Sequence, residues 1–424
     1  MIAALKQSGW IWRSDPADAD VILVNSCGFI EPAKQESIEV TLSFIESYPD
    51  ALVVMTGCLS QRYSAELAEE MPELAGVIGN RAPERIAEFI KAIRAGEGRV
   101  FVPEGAIRRH PRELLSLPGT AYLKVAEGCD NRCAFCAIPQ IRGRMRSKPP
   151  GQVVEEAEEL LSRGVREINL VAQDLASYGR DLGVSPIDLL SELDRFDGPL
   201  GGEYWVRLLY VYPEHFQKEL IDVVGSSAHL LPYFDIPFQH AAPTVLRRMG
   251  RPGDATTYLE LISDIRTRLP DAVVRSTFLV GFFGESDDDF ARLTAFQDRA
   301  EIDWLGVFPY SPEEGTPALA GSARPDVPKK VAQRRADEVM ARQQAITHRR
   351  IDRLVGRELP VLVEEMIPEE ALAIGRCYAQ APDVDGAVVV NVPDDERSGL
   401  VNPGSFVHCR IVRRNGLDLE AVPL

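Results

Sequence analysis

The chain has 424 residues, of which 45% are hydrophobic and 26% are charged, and its formal net charge is −17. This length predicts two or three domains, and no apolar run reaches the roughly 18 residues that a membrane-spanning helix needs. The acidic balance argues against a broad nucleic-acid-binding surface, while seven irregularly spaced cysteines argue against a disulfide framework and predict a cytoplasmic protein.

The first predicted region, residues 1–97, alternates helices with short apolar strands. A helix pattern from Met1 precedes the strand VILVNSC (21–27), and a second helix from Pro32 precedes ALVVMTGC (51–58) and LAGVIGN (74–80). Short buried strands that alternate with helices predict a doubly wound parallel sheet.

The second predicted region, residues 115–352, repeats this alternation on a larger scale. Helical stretches separate six strand segments and end in a basic helix (roughly 327–353) whose charges predict a solvated face. The strand segments are AYLKVAEG (121–128), REINLVAQD (166–174), YWVRLLYVYP (204–213), YFDIPFQH (233–240), VVRSTFLVGFFGE (273–285) and DWLGVFPYS (303–311). The pattern predicts a partial (β/α)6 barrel with its active groups at the carboxyl ends of the strands.

The third predicted region, residues 354–424, is rich in Val and Leu with Pro, Gly and Asp turns, as in a small antiparallel β-barrel. It contains six Arg and no Lys against twelve Asp and Glu. An acidic barrel repels RNA and attracts a basic protein, although an ordinary solvated acidic surface has the same composition.

Three cysteines, Cys129, Cys133 and Cys136, lie in one short loop after the first strand of the second region. A C-x3-C-x2-C loop can bind three irons of a [4Fe–4S] cluster and leave the fourth iron free to bind a small molecule. The alternative is a zinc knuckle or redox pair, but a structural zinc site needs a fourth ligand, and His110 lies before the preceding strand.

Two further cysteines, Cys27 and Cys58, each follow a predicted parallel strand. The carboxyl ends of neighbouring parallel strands meet at one edge, which predicts that the two thiols share a site; buried small side chains are the alternative. Cys377 and Cys409 match no ligand position and are predicted to be core residues of the C-terminal barrel.

The loop sequence GCDNRCAFCAIPQIRGRMRS (128–147), with FLVGFFGES (278–286) and YSPEEGTPA (310–318), resembles the methylthiotransferases of the radical S-adenosylmethionine superfamily. The order of the three regions matches that family over nearly the whole chain. The resemblance implies a methylthiotransferase N-terminal domain, a radical S-adenosylmethionine core and a C-terminal TRAM domain.

One branch of this family modifies tRNA adenosines, and another modifies an aspartate of the twelfth small-subunit ribosomal protein. The stretches NSCGFIEPAKQES (25–37), YFDIPFQHAAPTVLRRMGR (233–251) and RCYAQAPDVDGAVVVN (376–391) resemble the second branch. The acidic C-terminal region independently favours a basic protein over tRNA as partner. A non-enzymatic iron–sulfur or zinc protein that binds ribosomes is the remaining alternative, and it would need no open iron site.

The resemblance implies that two S-adenosylmethionine molecules and two [4Fe–4S] clusters transfer a methylsulfanyl group to the β-carbon of the aspartate. The first cluster would be held by Cys129, Cys133 and Cys136, and the second by Cys27 and Cys58. The electron would come from a low-potential donor such as flavodoxin or ferredoxin.

Candidate S-adenosylmethionine contacts are less sharply defined, and each could equally be scaffold. Phe135 could pack on the adenine, while Gln173, Arg207 and the loop from Gly281 to Glu285 lie at predicted strand ends. No catalytic side chain is assigned.

The resemblance also implies a third ligand to the second cluster. Family members carry, upstream of the helix that begins here at Met1, a strand that ends in a cysteine and a following Lys-Asn and Asp-Ser-Glu stretch. We therefore expect the native protein to start earlier by one strand and its loop, on the order of 20 residues.

Overall fold

A computed structural model describes residues 1–105, 107, 109–110, 112–196, 203–320, 327–394 and 396–424. The chain forms two compact units. The first comprises Met1–Leu114, Gly128–Arg146 and Ser311–Arg324, and the second comprises Leu115–Glu127, Ser147–Tyr310 and Pro325–Leu424. These units cut across the three predicted regions, whose boundaries at 1–97, 115–352 and 354–424 remain predictions.

The strands, in chain order, are β1 (Val21–Ser26), β2 (Leu52–Gly57), β3 (Gly76–Ile78), β4 (Val100–Phe101), β5 (Thr120–Lys124), β6 (Ala126–Glu127), β7 (Arg146–Ser147), β8 (Glu167–Val171), β9 (Trp205–Leu208), β10 (Leu230–Asp235), β11 (Val273–Val280), β12 (Trp304–Pro309), β13 (Glu358–Ile367), β14 (Leu372–Arg376), β15 (Val388–Asn391), β16 (Phe406–Asn415) and β17 (Asp418–Pro423).

The α-helices are α1 (Ile2–Gln7), α2 (Glu31–Ser47), α3 (Cys58–Arg62), α4 (Ser64–Glu70), α5 (Ile86–Ala95), α6 (Ile138–Arg142), α7 (Pro150–Ser162), α8 (Pro186–Leu193), α9 (Glu219–Ser226), α10 (Pro243–Arg248), α11 (Ala255–Arg268), α12 (Asp287–Ala300), α13 (Pro317–Ala320) and α14 (Lys329–Asp352).

The first unit is built on a parallel sheet of order β1-β2-β3-β4. Strand β2 is a nearly continuous buried run, because a central strand of a parallel sheet is covered on both faces. Ile22 and Met55 pack on one side with side chains of α2 and α4, and Val54 and Ile78 pack on the other with side chains of α1 and α5. The predicted α/β sheet with helices on both faces is confirmed.

The second unit contains a parallel sheet of order β12-β11-β10-β9-β8-β5 and a closed antiparallel barrel formed by β13 to β17. Among the described strands of this barrel, β15 and β17 are the one parallel pair, and the other neighbouring strands are antiparallel. The six-stranded sheet and the small C-terminal barrel agree with the predicted architecture. One hydrophobic core joins them: Trp205, Tyr233 and Trp304 of the sheet pack with Val361 and Val407 of the barrel.

A buried ion-pair network also ties this barrel to the sheet. The guanidinium of Arg376 in β14 lies 2.5 Å from Glu167 of β8 and 2.6 Å from Glu364 of β13. Burial opposes ionisation of Glu167, but the charges of Arg207 and Arg376 outweigh it and lower its pKa. Glu364 is therefore a structural residue of the barrel interior and takes no part in the acidic outer surface.

The two cysteines of the C-terminal barrel, Cys377 and Cys409, are both fully buried in this core, as predicted. Burial raises the pKa of the Cys409 thiol to about 12. The prediction of a solvated basic helix is wrong for part of α14, because Arg335 is buried and paired with Glu285, and Arg350 is partly buried and paired with the buried Asp303.

Candidate iron–sulfur and S-adenosylmethionine sites

Cys27 and Cys58 lie at the same edge of the N-terminal sheet. Ser26 and Gly57, the last residues of β1 and β2, are register partners, and each cysteine is the next residue in the chain. The prediction that these positions converge follows from parallel pairing and agrees with this register. Cys27 is exposed, and its backbone N–H donates to Ser37 Oγ at 3.0 Å.

Two glycines allow this close approach. Gly57 has φ = +107°, and a Cβ atom there would lie 2.3 Å from the carbonyl oxygen of Ser26. A Cβ on Gly28 would lie 2.7 Å from the backbone of Leu59 in α3. Both positions need glycine because backbone atoms of the neighbouring segment occupy the space of a side chain.

The sulfur of Cys58 accepts hydrogen bonds from two side chains of the first unit. Asn80 Nδ2 and Arg142 Nη2 each lie 3.3 Å from Cys58 Sγ. Asn80 follows β3 at the same sheet edge, and Arg142 is the last residue of α6, which begins two residues after Cys136. The Cys58 sulfur thus has two hydrogen-bond donors from other segments of the first unit, and one of them is cationic.

The loop that carries Cys129, Cys133 and Cys136 has a defined backbone. Cys129 N–H donates to the Gly143 carbonyl at 3.1 Å, and Cys136 N–H donates to the Cys133 carbonyl at 3.2 Å. The backbone N–H of Ile138, at the start of α6, donates to Cys136 Sγ at 3.5 Å. The first two bonds fix the loop backbone, and the third places one N–H donor at the Cys136 sulfur.

Ionisation of the thiols of this loop is unfavourable without a bound cation. Burial raises the pKa of the Cys136 thiol to about 12, and the nearby Cys133 and Cys129 add to the increase. Three thiolates this close would repel one another unless iron ions compensated their charge. The donor set of this loop, three cysteine thiols, fits a [4Fe–4S] cluster with one open iron.

Across the described ranges, no three Cys, His, Asp or Glu side chains already stand in a metal-binding arrangement. The assignment of Cys129, Cys133, Cys136, Cys27 and Cys58 as ligands therefore stays a proposal, argued from chemistry and position.

Four of the five candidate S-adenosylmethionine contacts lie in the second unit, and Phe135 lies in the cysteine loop of the first. Gln173 is half-buried two residues beyond β8. Next to it in sequence, the Asp174 carboxylate lies 2.8 Å from His215 Nδ1, a pair that the sequence did not reveal.

Glu285 organises the loop that begins at Gly281. One carboxylate oxygen accepts from the backbone N–H groups of Gly281 (2.6 Å) and Phe282 (3.1 Å), and the other accepts from Arg335 Nη1 (2.8 Å). Gly281 has φ = +76°, and a Cβ there would lie 2.3 Å from Ala332 of α14. Gly281 and Glu285 thus fix the backbone of this loop, and both carboxylate oxygens of Glu285 are engaged in holding it.

Arg207 is the last residue but one of β9, close to the predicted strand end, but its side chain is fully buried and is not displayed at the rim as expected. Its side chain donates to Glu167 Oε1 at 2.6 Å and to the Tyr378 carbonyl at 2.8 Å. Because these bonds join the sheet to the C-terminal barrel, we assign Arg207 a structural role and leave it out of the proposed cofactor site.

Three protein-family models match the chain. The model described as "Radical SAM superfamily" matches residues 123–296, the model "TRAM domain" matches 355–424, and "Uncharacterized protein family UPF0004" matches 1–79. Among the described residues, no helix combines the length and the apolar character that crossing a membrane requires.

Curated relatives align with the chain from end to end. The protein named ribosomal protein uS12 methylthiotransferase RimO from Treponema denticola is 40% identical, over 100% of this chain and 96% of the relative. The protein of the same name from Aquifex aeolicus is also 40% identical, over 100% and 94%. The one from Symbiobacterium thermophilum is 41% identical, over 99% and 86%.

A solved structure supports the fold alone. The radical S-adenosylmethionine methyltransferase TsrM from Kitasatospora setae superposes with a TM-score of 0.51 at 19% identity, over 69% of this chain and 63% of that chain. The full-length relatives, together with the radical and TRAM matches, identify the family. This chain belongs to the radical S-adenosylmethionine methylthiotransferases.

Proposed function

We propose that this enzyme transfers a methylsulfanyl group to the β-carbon of an aspartate in ribosomal protein uS12. The observation that carries the proposal is the end-to-end similarity to relatives that bear the name uS12 methylthiotransferase. The acidic C-terminal barrel supports a basic protein as substrate, because phosphate-binding surfaces need positive charge.

We propose Cys129, Cys133 and Cys136 as the ligands of a [4Fe–4S] cluster whose open iron binds S-adenosylmethionine. When bound, the cluster and S-adenosylmethionine together supply the one-electron cleavage that makes an unactivated carbon accessible to radical chemistry. The backbone of the cysteine loop positions the cluster. A second loop, which begins at Gly281, is held in place by Glu285 and Arg335. Gln173 and Phe135 remain candidate contacts.

Isotope labelling tests the target atom. With uS12 that contains β-deuterated aspartate, deuterium is expected in the 5′-deoxyadenosine recovered after turnover, because the hydrogen lost from the β-carbon is the one gained by the nucleoside. Unlabelled uS12 is the control. Deoxyadenosine without deuterium, at an equal yield, would show that the reaction takes its hydrogen from another position.

A second [4Fe–4S] cluster at Cys27 and Cys58 belongs to the same proposal. The shared sheet edge supports it, as do the Asn80 and Arg142 donors that lie within 3.3 Å of Cys58 Sγ. Hydrogen-bond donors to cysteine sulfurs commonly surround iron–sulfur sites and tune their reduction potentials.

Substitution of Cys58 is expected to separate the two activities. A strain whose gene encodes Cys58→Ala should lack the methylsulfanyl group on uS12, while the purified variant still cleaves S-adenosylmethionine, because the radical cluster keeps its three thiols. Cys409→Ala, which removes a buried thiol elsewhere, is the matched control and should keep both. Persistent modification of uS12 in the Cys58→Ala strain would exclude Cys58 as a ligand.

The acidic surface of the C-terminal barrel is proposed to bind uS12. Glu365, Glu369 and Glu370 lie on its outer side, whereas Glu364 is buried against Arg376. Changing the three outer glutamates to Lys should weaken uS12 binding several-fold at low salt and flatten its salt dependence.

The matched control reverses three glutamates of α4, Glu66, Glu69 and Glu70, and so changes the net charge equally. It should bind uS12 like the unmodified chain. Equal weakening by both variants would assign the effect to net charge alone, and tight binding of tRNA by the unmodified chain would favour the tRNA branch.

The remaining partners follow from the chemistry. A low-potential donor of the flavodoxin or ferredoxin type is proposed to supply the electron, and the cytoplasm, where ribosomes and reduced thiols occur, is the proposed location.

A further inference from the structure

Tyr210 adopts a backbone conformation that is rare for a large aromatic residue. Its φ is +61°, in the left-handed region, where a Cβ atom approaches the neighbouring carbonyl oxygen and the conformation is unfavourable for residues other than glycine. Tyr210 lies two residues beyond the carboxyl end of β9.

Two hydrogen bonds from neighbouring segments fix the backbone of Tyr210 in this conformation. Tyr210 N–H donates to Asp235 Oδ2 at 3.1 Å, and the Tyr210 carbonyl accepts from Leu175 N–H at 3.0 Å. Asp235 ends β10 and is itself held by Arg275 of β11 at 3.1 Å. A residue in an unfavourable conformation persists only where its surroundings determine it to this degree.

Packing does not explain why a tyrosine occupies this position. The residue remains 48% exposed, whereas its neighbours Leu209 and Val211 are buried. Glycine would satisfy the same two backbone hydrogen bonds without strain. The strained residue instead displays an aromatic ring at the carboxyl end of a barrel strand, where enzymes of this architecture bind their substrates.

We propose that the Tyr210 ring contacts the polypeptide segment of the substrate that flanks the target aspartate, and that it determines specificity for this substrate. The inference rests on the proposed function, because it takes uS12 as the substrate. Aromatic side chains at such contacts combine a large contact area with low conformational freedom.

Binding of purified uS12 to the reconstituted full chain tests the contact. Tyr210→Ala is expected to raise the dissociation constant about tenfold, a typical loss for an aromatic anchor. Tyr210→Phe, which keeps the ring, is expected to retain most of the affinity. If Tyr210→Ala binds as tightly as the unmodified chain, or if Tyr210→Phe loses as much as Tyr210→Ala, the proposed ring contact is wrong.

Thermal melting separates backbone strain from the contact. Tyr210→Gly should melt above Tyr210→Ala, because both lack the ring and only glycine relieves the strain. Glu301, with φ = +43° at the end of α12, is the matched control. Its Gly and Ala variants should melt in the same order while binding uS12 normally. A lower melting temperature for Tyr210→Gly than for Tyr210→Ala would refute the strain argument.

The binding measurement separates failure of the proposed function from failure of the Tyr210 contact. Failure of the unmodified chain to bind uS12 would overturn the proposed function, and this inference with it. Normal binding by the unmodified chain together with normal binding by Tyr210→Ala would overturn the inference alone.

Discussion

Replacement of Cys133 by alanine is expected to abolish reductive cleavage of S-adenosylmethionine. Each of the three loop cysteines is proposed to hold one iron, so two remaining thiols cannot retain a cluster that keeps its fourth iron open. The loss should be complete within detection, because without the cluster no group in the loop can deliver an electron. Cys129→Ala and Cys136→Ala should behave in the same way.

Anaerobic reconstitution followed by iron analysis and quantification of 5′-deoxyadenosine provides the measurement. Cys409→Ala is the matched control, since its thiol is buried in the C-terminal barrel and bonds no proposed cofactor. It should retain both iron and cleavage. Full cleavage by reconstituted Cys133→Ala would overturn the assignment of this loop as the radical cluster site.

The second large effect is expected on stability, from Arg376→Met. This substitution leaves the buried Glu364 carboxylate without a cation and leaves Glu167 paired with Arg207 alone. Breaking a buried pair by removal of one partner typically costs about 3–5 kcal/mol of unfolding free energy. Arg413→Met, which removes an exposed pair with Glu420 on the barrel surface, should change stability little.

The pH dependence of this effect has a defined sign. In the unmodified chain, arginine charges hold the pKa of Glu167 below its ordinary value, so its contribution to stability is complete above about pH 5 and is lost at more acidic pH. The pKa of Glu364 is raised instead, because burial outweighs the charge of Arg376. In Arg376→Met, protonation of Glu364 relieves its unpaired buried charge. The melting-temperature difference between the two proteins should therefore shrink on acidification, and a difference that grows would contradict the ion-pair explanation.

Much of the fold follows from local pattern. Apolar runs such as VILVNS and LVVMTG indicate buried parallel strands because strands covered on both faces lack polar alternation. Parallel register places the residues that follow two neighbouring strands at the same sheet edge. The proximity of Cys27 and Cys58 could therefore be predicted from the amino-acid sequence. For the three-cysteine loop, the spacing of the cysteines was enough to predict a cluster site.

Contacts between distant segments were not predictable in this way. Arg207 occupies an apolar strand, and its role depends on Glu167 and on Tyr378 far along the chain. The contact of Arg142 with Cys58 was not predictable for the same reason, because the two residues lie in different segments of the first unit. Glu364 and Glu365 look identical in sequence, yet Glu364 lies where the register of β13 with β14 shifts and is buried against Arg376, whereas Glu365 is exposed.

The backbone conformation of Tyr210 could not be predicted for a different reason. Glycine is the usual sequence signal of a residue with positive φ, and a tyrosine gives no such signal. Asn80, by contrast, ends the segment LAGVIGN after the third parallel strand, so its position near Cys58 was predictable from the sequence in the same way as that of Cys27.

Mass spectrometry of uS12 from a strain that lacks this gene tests whether uS12 is the substrate of this enzyme. The target aspartate should be unmodified in that strain, should carry the methylsulfanyl group in the parent, and should regain it when the gene is restored, while the methylthiolated adenosines of tRNA stay unchanged. A methylsulfanyl group on uS12 that persists without the gene, or its loss from tRNA in place of uS12, would show that uS12 is not the substrate.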